Sequence, residues 1–387
     1  MGTEFRKSLL LLAGSIVLWF AITEGVCRLL PVHSGFEVQP VDAENPVIRF
    51  RPNRDFLYSH GAFLTNVNHG HVNNDGFINN QDYDAGDTRP LLAVIGDSYI
   101  EAAMVSYPQT LQGRLAAQQG GKRHVYSFGS SGSSLLDYLY YAVYVRQRFG
   151  AEWLVINVVG NDFDEMLLRY KQSPAFHYFT ELPDGNLTPT LVQYHPSRTR
   201  AVLRHSALAR YLFFNVRATA PVVDRLLEGA HRLRLWVTDP IASAKAASPG
   251  FVGNTASDAD PLRVELSKRA TLWVLDHLPE SAGLPVSHIL LLMDGYRAFE
   301  PDRVEAARHS FFAIMREYLI SEARNRGYEV QDMQEWFVRR HRRDGAVFNF
   351  PDDGHWSAVG HEEAANAVMA SEFYRRFTGR EGQSSSN

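Results

Sequence analysis

Leu91 to Ser98 read LLAVIGDS, five apolar residues running straight into Gly96-Asp97-Ser98. An apolar run without helical spacing suits a strand buried on both faces, as in a parallel sheet. Gly96 permits a sharp turn, which leaves Asp97 and Ser98 at the strand's carboxyl end. In open α/β sheets that edge is where ligands bind. The stretch therefore sets a hydroxyl where a nucleophile can work, although glycine, aspartate and serine also make ordinary turns and helix caps.

The same pattern recurs downstream. Val125 to Phe128 predicts a strand ending in Gly129-Ser130-Ser131-Gly132-Ser133-Ser134, with Ser134 capping a helix from Leu135 to Arg148 that Gly150 ends. Trp153 to Val159 predicts another, ending in Gly160-Asn161-Asp162. A helix is expected over Pro108 to Ala117. Strands alternating with helices imply a doubly wound, mainly parallel sheet with right-handed crossovers, and the three polar turns then share one sheet edge. From Phe163 to Gly283 the pattern breaks: helical stretches at Ala201–Val216, Pro221–Leu235 and Leu262–Leu278 flank a loop-like tract, Thr238–Pro261. This 163–283 segment reads as an insertion over the active edge, with the tract as a mobile lid. The pattern resumes with a strand at His288–Met293, a helix at Asp302–Arg326 and a strand at Tyr328–Met333. Phe350 to His361 (FPDDGHWSAVGH) leads into a closing helix, Glu362–Phe377.

The 387 residues are 45% hydrophobic and 21% charged, an ordinary globular balance, and the net charge of -4 argues against a nucleic-acid partner. With Cys27 the only cysteine, an intrachain disulfide and a cysteine zinc site are excluded. Arg6 and Lys7 precede an apolar run, Ser8 to Thr23, slightly short of the roughly 17–25 residues of a spanning helix, which Gly25 to Cys27 extend beyond Glu24. Residues 1–30 therefore read as a signal anchor, with the positive amino terminus inside and the body periplasmic or extracellular. Residues 31–88 read as a tether and a small β region, in which His69, His71 and Asp75 are a weak metal signal. Residues 89–377 form the main domain and 378–387 a disordered tail. Arg339–Arg343 (RRHRR) reads as a solvated basic face.

A serine needs a base to take its proton and an acid to orient that base. His355 is the candidate base, and Asp352 and Asp353 both stand close enough to orient it through Nδ1. The backbone N–H groups of Ser98 and Gly132 and the amide of Asn161 are candidate donors to an oxyanion. Asp97, Asp162 and His361 read as structural.

Gly96-Asp97-Ser98, Gly132, Gly160-Asn161-Asp162 and Asp352 to His355, in that order, resemble the motif blocks of the SGNH (GDSL) hydrolases. The likeness spans about Pro90 to Phe377 apart from the insertion. It implies a flavodoxin-like three-layer α/β/α sandwich, Ser98 as nucleophile, His355 as base, an oxyanion hole from Ser98, Gly132 and Asn161, and no metal or organic cofactor. Ser127 departs from the family, and the doubled aspartate leaves the acid open: Asp-x-x-His points to Asp352, Asp-Gly-His-Trp to Asp353. Trp356 is similar to polysaccharide-acetylating relatives, but here the Asp/His motif follows the serine, as in the hydrolases. The expectation is a single-pass membrane esterase acting on acyl, chiefly acetyl, esters of an envelope or extracellular glycan. A polysaccharide O-acetyltransferase with the same triad and a non-catalytic assembly module are the alternatives.

Overall fold

The computed structural model describes residues 3–216, 251–351 and 353–379. Three features of the sequence reading lie outside the described residues: the helix at Pro221–Leu235 with most of the following loop tract, Asp352, and the tail from residue 380. The chain divides into two units.

The described parts of the first unit are residues 3–37, 55–70 and 196–216. Its main element is α1 (Thr3–Leu29), 27 residues, long and apolar enough to cross a membrane. At 1.5 Å per residue such a helix is about 40 Å long, against a hydrocarbon core of about 30 Å. Its side chains from Phe5 to Phe20 are exposed. Two short helices, Arg198–Leu203 and Ala207–Arg210, run into a π-helical turn, Tyr211–Asn215.

The second unit holds the sheet. Strands β1 (Leu91–Gly96), β2 (His124–Gly129), β3 (Trp153–Val158), β4 (Ile289–Met293) and β5 (Glu329–Asp332) lie in the order β5-β4-β3-β1-β2, every pair parallel. This is the flavodoxin-like order, whose connections reverse between β1 and β3 and open a crevice at their carboxyl ends. All of β1 is buried. Side chains alternate between faces along a strand. Leu91, Ala93 and Ile95 accordingly join one apolar cluster, and Leu92 and Val94 the other. Covered on both sides, the strand shows no polar alternation.

Helix α2 (Ser98–Glu101) follows β1 directly, and α3 (Leu111–Gln119) begins the crossover to β2. Helices α4 (Leu135–Phe149), α5 (Pro261–Ala282) and α6 (Phe311–Asn325) cover one face of the sheet. Helix α3, with α7 (Met333–Asp344), α8 (Ala358–Ala370) and α9 (Glu372–Phe377), covers the other. The architecture is thus the three-layer α/β/α sandwich expected. Two details differ from the sequence reading. Helix α5, assigned there to the insertion, is part of the flanking layer, because Leu266, Ala270, Val274 and Leu278 form one stripe at helical spacing. The helix expected over Asp302–Arg326 is interrupted by Ser310, whose hydroxyl accepts from the Ala313 N–H and starts α6 afresh.

Candidate active site

Ser98 stands where β1 turns into α2. A Cβ on Gly96 would lie 2.4 Å from Ile100 Cγ1, so only glycine lets the turn close on itself. Asp97 caps α2, its Oδ1 accepting from the Tyr99 N–H at 3.0 Å. Ser98 Oγ lies 3.2 Å from Asp97 Oδ2 and 2.7 Å from His355 Nε2.

His355 comes from a short strand, β6 (Asp353–Trp356), paired antiparallel with Asn349–Phe350. Asp353 Oδ1 lies 2.5 Å from His355 Nδ1 and also accepts the His355 backbone N–H at 3.2 Å. A carboxylate on Nδ1 keeps the proton there and leaves Nε2 as acceptor, facing the Ser98 hydroxyl. Burial disfavours the imidazolium, but the charge and hydrogen bond of Asp353 outweigh it and hold the His355 pKa above its ordinary value. Of the two candidate acids, Asp353 is the one described, and it occupies Nδ1.

The two other expected donors sit on neighbouring strand ends. Gly132 follows β2 with φ at +85°, a conformation costly for other residues, and a Cβ there would press to 3.1 Å from Lys171 Nζ. Lys171 also donates to the Gly132 carbonyl and pairs with Glu165 at 2.6 Å. Asn161 follows β3 and is buried. Its Oδ1 accepts from Asn254 Nδ2 at 3.1 Å, which fixes the amide and leaves its NH2 as donor. Asn254 lies in a two-stranded turn, Phe251–Val252 with Thr255–Ala256, pressed so close to Gly160 that a Cβ on that glycine would meet the Gly253 carbonyl. Arg263 secures the turn, donating to Thr255 Oγ1 at 2.8 Å and to Asp164 at 2.9 Å.

A second set of residues holds the imidazole's flanks and was not singled out from the sequence. Asp294, at the carboxyl end of β4, accepts the Trp356 indole N–H at 3.0 Å and pairs with Arg297 at 2.7 Å. Arg297 donates to the Gly354 carbonyl at 3.1 Å and to the Tyr99 hydroxyl at 2.9 Å, and that hydroxyl donates to Gly354 as well. The residues on either side of His355 are thereby tied to β4 and α2. The available signal was Asp294-Gly295, a fourth apolar strand ending in a small polar turn.

Other titratable groups brace the site. Glu101, on α2, accepts the Ser131 N–H at 2.6 Å and its hydroxyl at 2.9 Å, and burial pushes its pKa up to about 7. Asp162 accepts the Val159 N–H at 2.7 Å. His361 is buried, held neutral by desolvation with its pKa down to about 3, and accepts the Leu111 N–H at 3.2 Å. Asp75 is engaged by Tyr144 and Arg148. Among the described residues no group of three or more His, Cys, Asp or Glu side chains is arranged to hold a metal ion.

No family model and no curated protein matches the chain. Among solved structures it is similar to a member of the lipolytic protein G-D-S-L family from Veillonella parvula, at 10% identity, covering 72% of this chain and 96% of that one, TM-score 0.35. It is similar to a lipase/acylhydrolase from Enterococcus faecalis, at 12% identity, covering 75% and 96%, TM-score 0.35. A carbohydrate acetylesterase family member from Sinorhizobium meliloti is similar at 10% identity, covering 75% and 99%, TM-score 0.33.

Proposed function

We propose that this chain is a serine esterase of the SGNH type, with Ser98, His355 and Asp353 as its catalytic triad. One observation carries the reading: a buried serine hydroxyl 2.7 Å from an imidazole whose other nitrogen is 2.5 Å from a buried carboxylate. That is the arrangement a weak nucleophile requires.

In the first half-reaction Ser98 Oγ attacks the acyl carbon and its proton passes to His355 Nε2. Negative charge moves onto the carbonyl oxygen, where the Ser98 and Gly132 N–H groups and the Asn161 NH2 donate to it. The carbon–alkoxide bond then breaks, and the imidazolium returns its proton to the leaving oxygen. In the second half, His355 takes a proton from water, the hydroxide attacks the acyl-enzyme, and Ser98 leaves reprotonated. Asp353 stays ionised throughout, orienting the ring and stabilising its cation.

The substrate is an acyl ester, chiefly an acetyl ester on a glycan. The anchored body meets it outside the membrane, since Arg6 and Lys7 ahead of α1 favour an inside amino terminus. The test uses full-length protein in detergent with p-nitrophenyl acetate and a fluorophosphonate label. Hydrolysis and labelling are expected in the wild type and neither in Ser98→Ala. A wild type that does neither overturns the reading. An added glycan acceptor that captures the acetyl group in place of water would make the same triad a transferase's.

A further inference from the structure

We propose that residues 198–216 lie on the surface of the same bilayer that α1 crosses, with their exposed apolar side chains seated at the headgroup–acyl boundary. This rests on reading α1 as membrane-spanning.

The depth of attachment carries the inference. From Lys7, α1 climbs about 26 Å to Glu24 and about 32 Å to Arg28, at 1.5 Å per residue. A hydrocarbon layer of about 30 Å that begins just past Lys7 therefore ends near Arg28. Glu24 is at or slightly inside that boundary, and the 198–216 segment is bonded to it. The Glu24 carboxylate accepts from the Ser206 hydroxyl at 2.8 Å and from the Ala207 and Leu208 N–H groups at 3.0 and 2.9 Å. Arg28 donates to the His205 carbonyl at 3.0 Å. Cys27 packs with Ala207, and Leu208 and Tyr211 pack against them. The segment cannot stand off from a bilayer that holds α1.

Its composition matches that position. Val202 is 72% exposed, and Leu212, Phe213 and Phe214 are each about 40% exposed. In water this would be an unusual concentration of apolar surface on so short a stretch. At a lipid boundary it is the apolar side of an interfacial element, and the exposed Arg198 and Arg200 suit anionic headgroups. The Glu24 charge, otherwise costly at that depth, is satisfied by the N–H groups it accepts from.

The experiment uses full-length protein, one copy per nanodisc, in phosphatidylcholine with a minority of phosphatidylglycerol. Single cysteines replace Phe213, Leu12 on α1 or Val347 on the sheet-bearing unit, in a Cys27→Ala background, and each carries an environment-sensitive fluorophore. The Phe213→Cys label is expected to be several-fold less quenched by aqueous iodide than the Val347→Cys label. It should be quenched more by a nitroxide near the headgroup than by one deep in the acyl chain, with the opposite depth order at Leu12→Cys. Leu212→Cys repeats the measurement with the Phe213 ring intact. A label at 213 that iodide reaches freely, or that is shielded without nitroxide quenching, overturns the proposal while lipid quenching at Leu12 leaves the anchor standing. Loss of lipid quenching at both positions overturns the anchor and the proposal together.

Discussion

Asn254 Nδ2 donates to Asn161 Oδ1 across 3.1 Å, joining two residues 93 apart in the chain. An amide whose oxygen is occupied can only offer its NH2, so in the proposed mechanism Asn254 sets which group Asn161 turns toward the acyl carbonyl. Asn161→Ala should lower kcat by about 10²–10³, the usual cost of one oxyanion donor. Asn254→Ala should cost about 10-fold in kcat with KM little changed, since it releases the donor's orientation without removing it. Steady-state kinetics with p-nitrophenyl acetate measures both, and an Asn254→Ala variant with wild-type kcat sinks the orienting role.

In the proposed mechanism the pairing of Asp353 with His355 should set an acid limb. The imidazole must be neutral to accept the serine proton, and its pKa is held above 6.5. Activity should therefore climb with pH through a value above 6.5. Asp353→Asn should move that limb down and lower kcat by about 10⁴, as loss of the orienting carboxylate does elsewhere. Because the native pKa is raised, the pair stabilises the fold fully below 6.5, and that contribution is lost as pH rises through the native value. A pH–rate profile unchanged in Asp353→Asn would remove Asp353 from the triad.

Glu101 adds a pH dependence of its own to stability. Burial, opposed by its bonds to Ser131, lifts its pKa from 4.5 to about 7. Between those values the folded protein keeps a proton that the unfolded chain has lost. The stability this group contributes is complete below pH 4.5 and falls by about 3 kcal/mol as pH rises through 7. Glu101→Gln keeps the shape and removes the titration. Urea midpoints of the wild type should fall between these pH values more steeply than those of Glu101→Gln, and parallel curves would contradict the assignment.

What was legible in the sequence is what depends on short-range pattern. The polar turns after β1, β2 and β3 could be read because buried parallel strands are apolar throughout and end abruptly. The pairing of Asp353 with His355 rests on strand geometry that a motif does not carry: in β6 residues two apart share a face. Asn254 was hidden in a tract of glycine, serine and aspartate without periodicity, and its partner is set only by the fold. The basic run Arg339–Arg343 lies within α7, where Arg340 pairs with Asp344 and Glu363. Helix α5 was misplaced because the crossover from β3 to β4 is so long that it resembled an inserted segment.

Arg297 offers the most demanding test of how the base is held. Its guanidinium faces Asp294, a buried carboxylate whose pKa burial raises, and donates to the carbonyl of Gly354 beside the His355 imidazole. Arg297→Met strands the Asp294 charge and frees the β6 backbone, and breaking such a buried pair costs about 3–5 kcal/mol. Asp294→Asn alone should cost less, because the amide oxygen still accepts the Trp356 N–H. The double variant Asp294→Asn/Arg297→Met should recover much of the stability lost in Arg297→Met, since no buried charge is left unpaired. Activity should not recover with it: Gly354 stays untethered in the double variant, so kcat remains low. The Arg297 charge also opposes protonation of His355, so its removal should move the acid limb of the pH–rate profile upward. Denaturation midpoints and pH–rate profiles of the three variants separate the two contributions. A double variant that regains stability, kcat and the wild-type acid limb together would reduce Arg297 to a charge partner for Asp294, with no part in positioning the base.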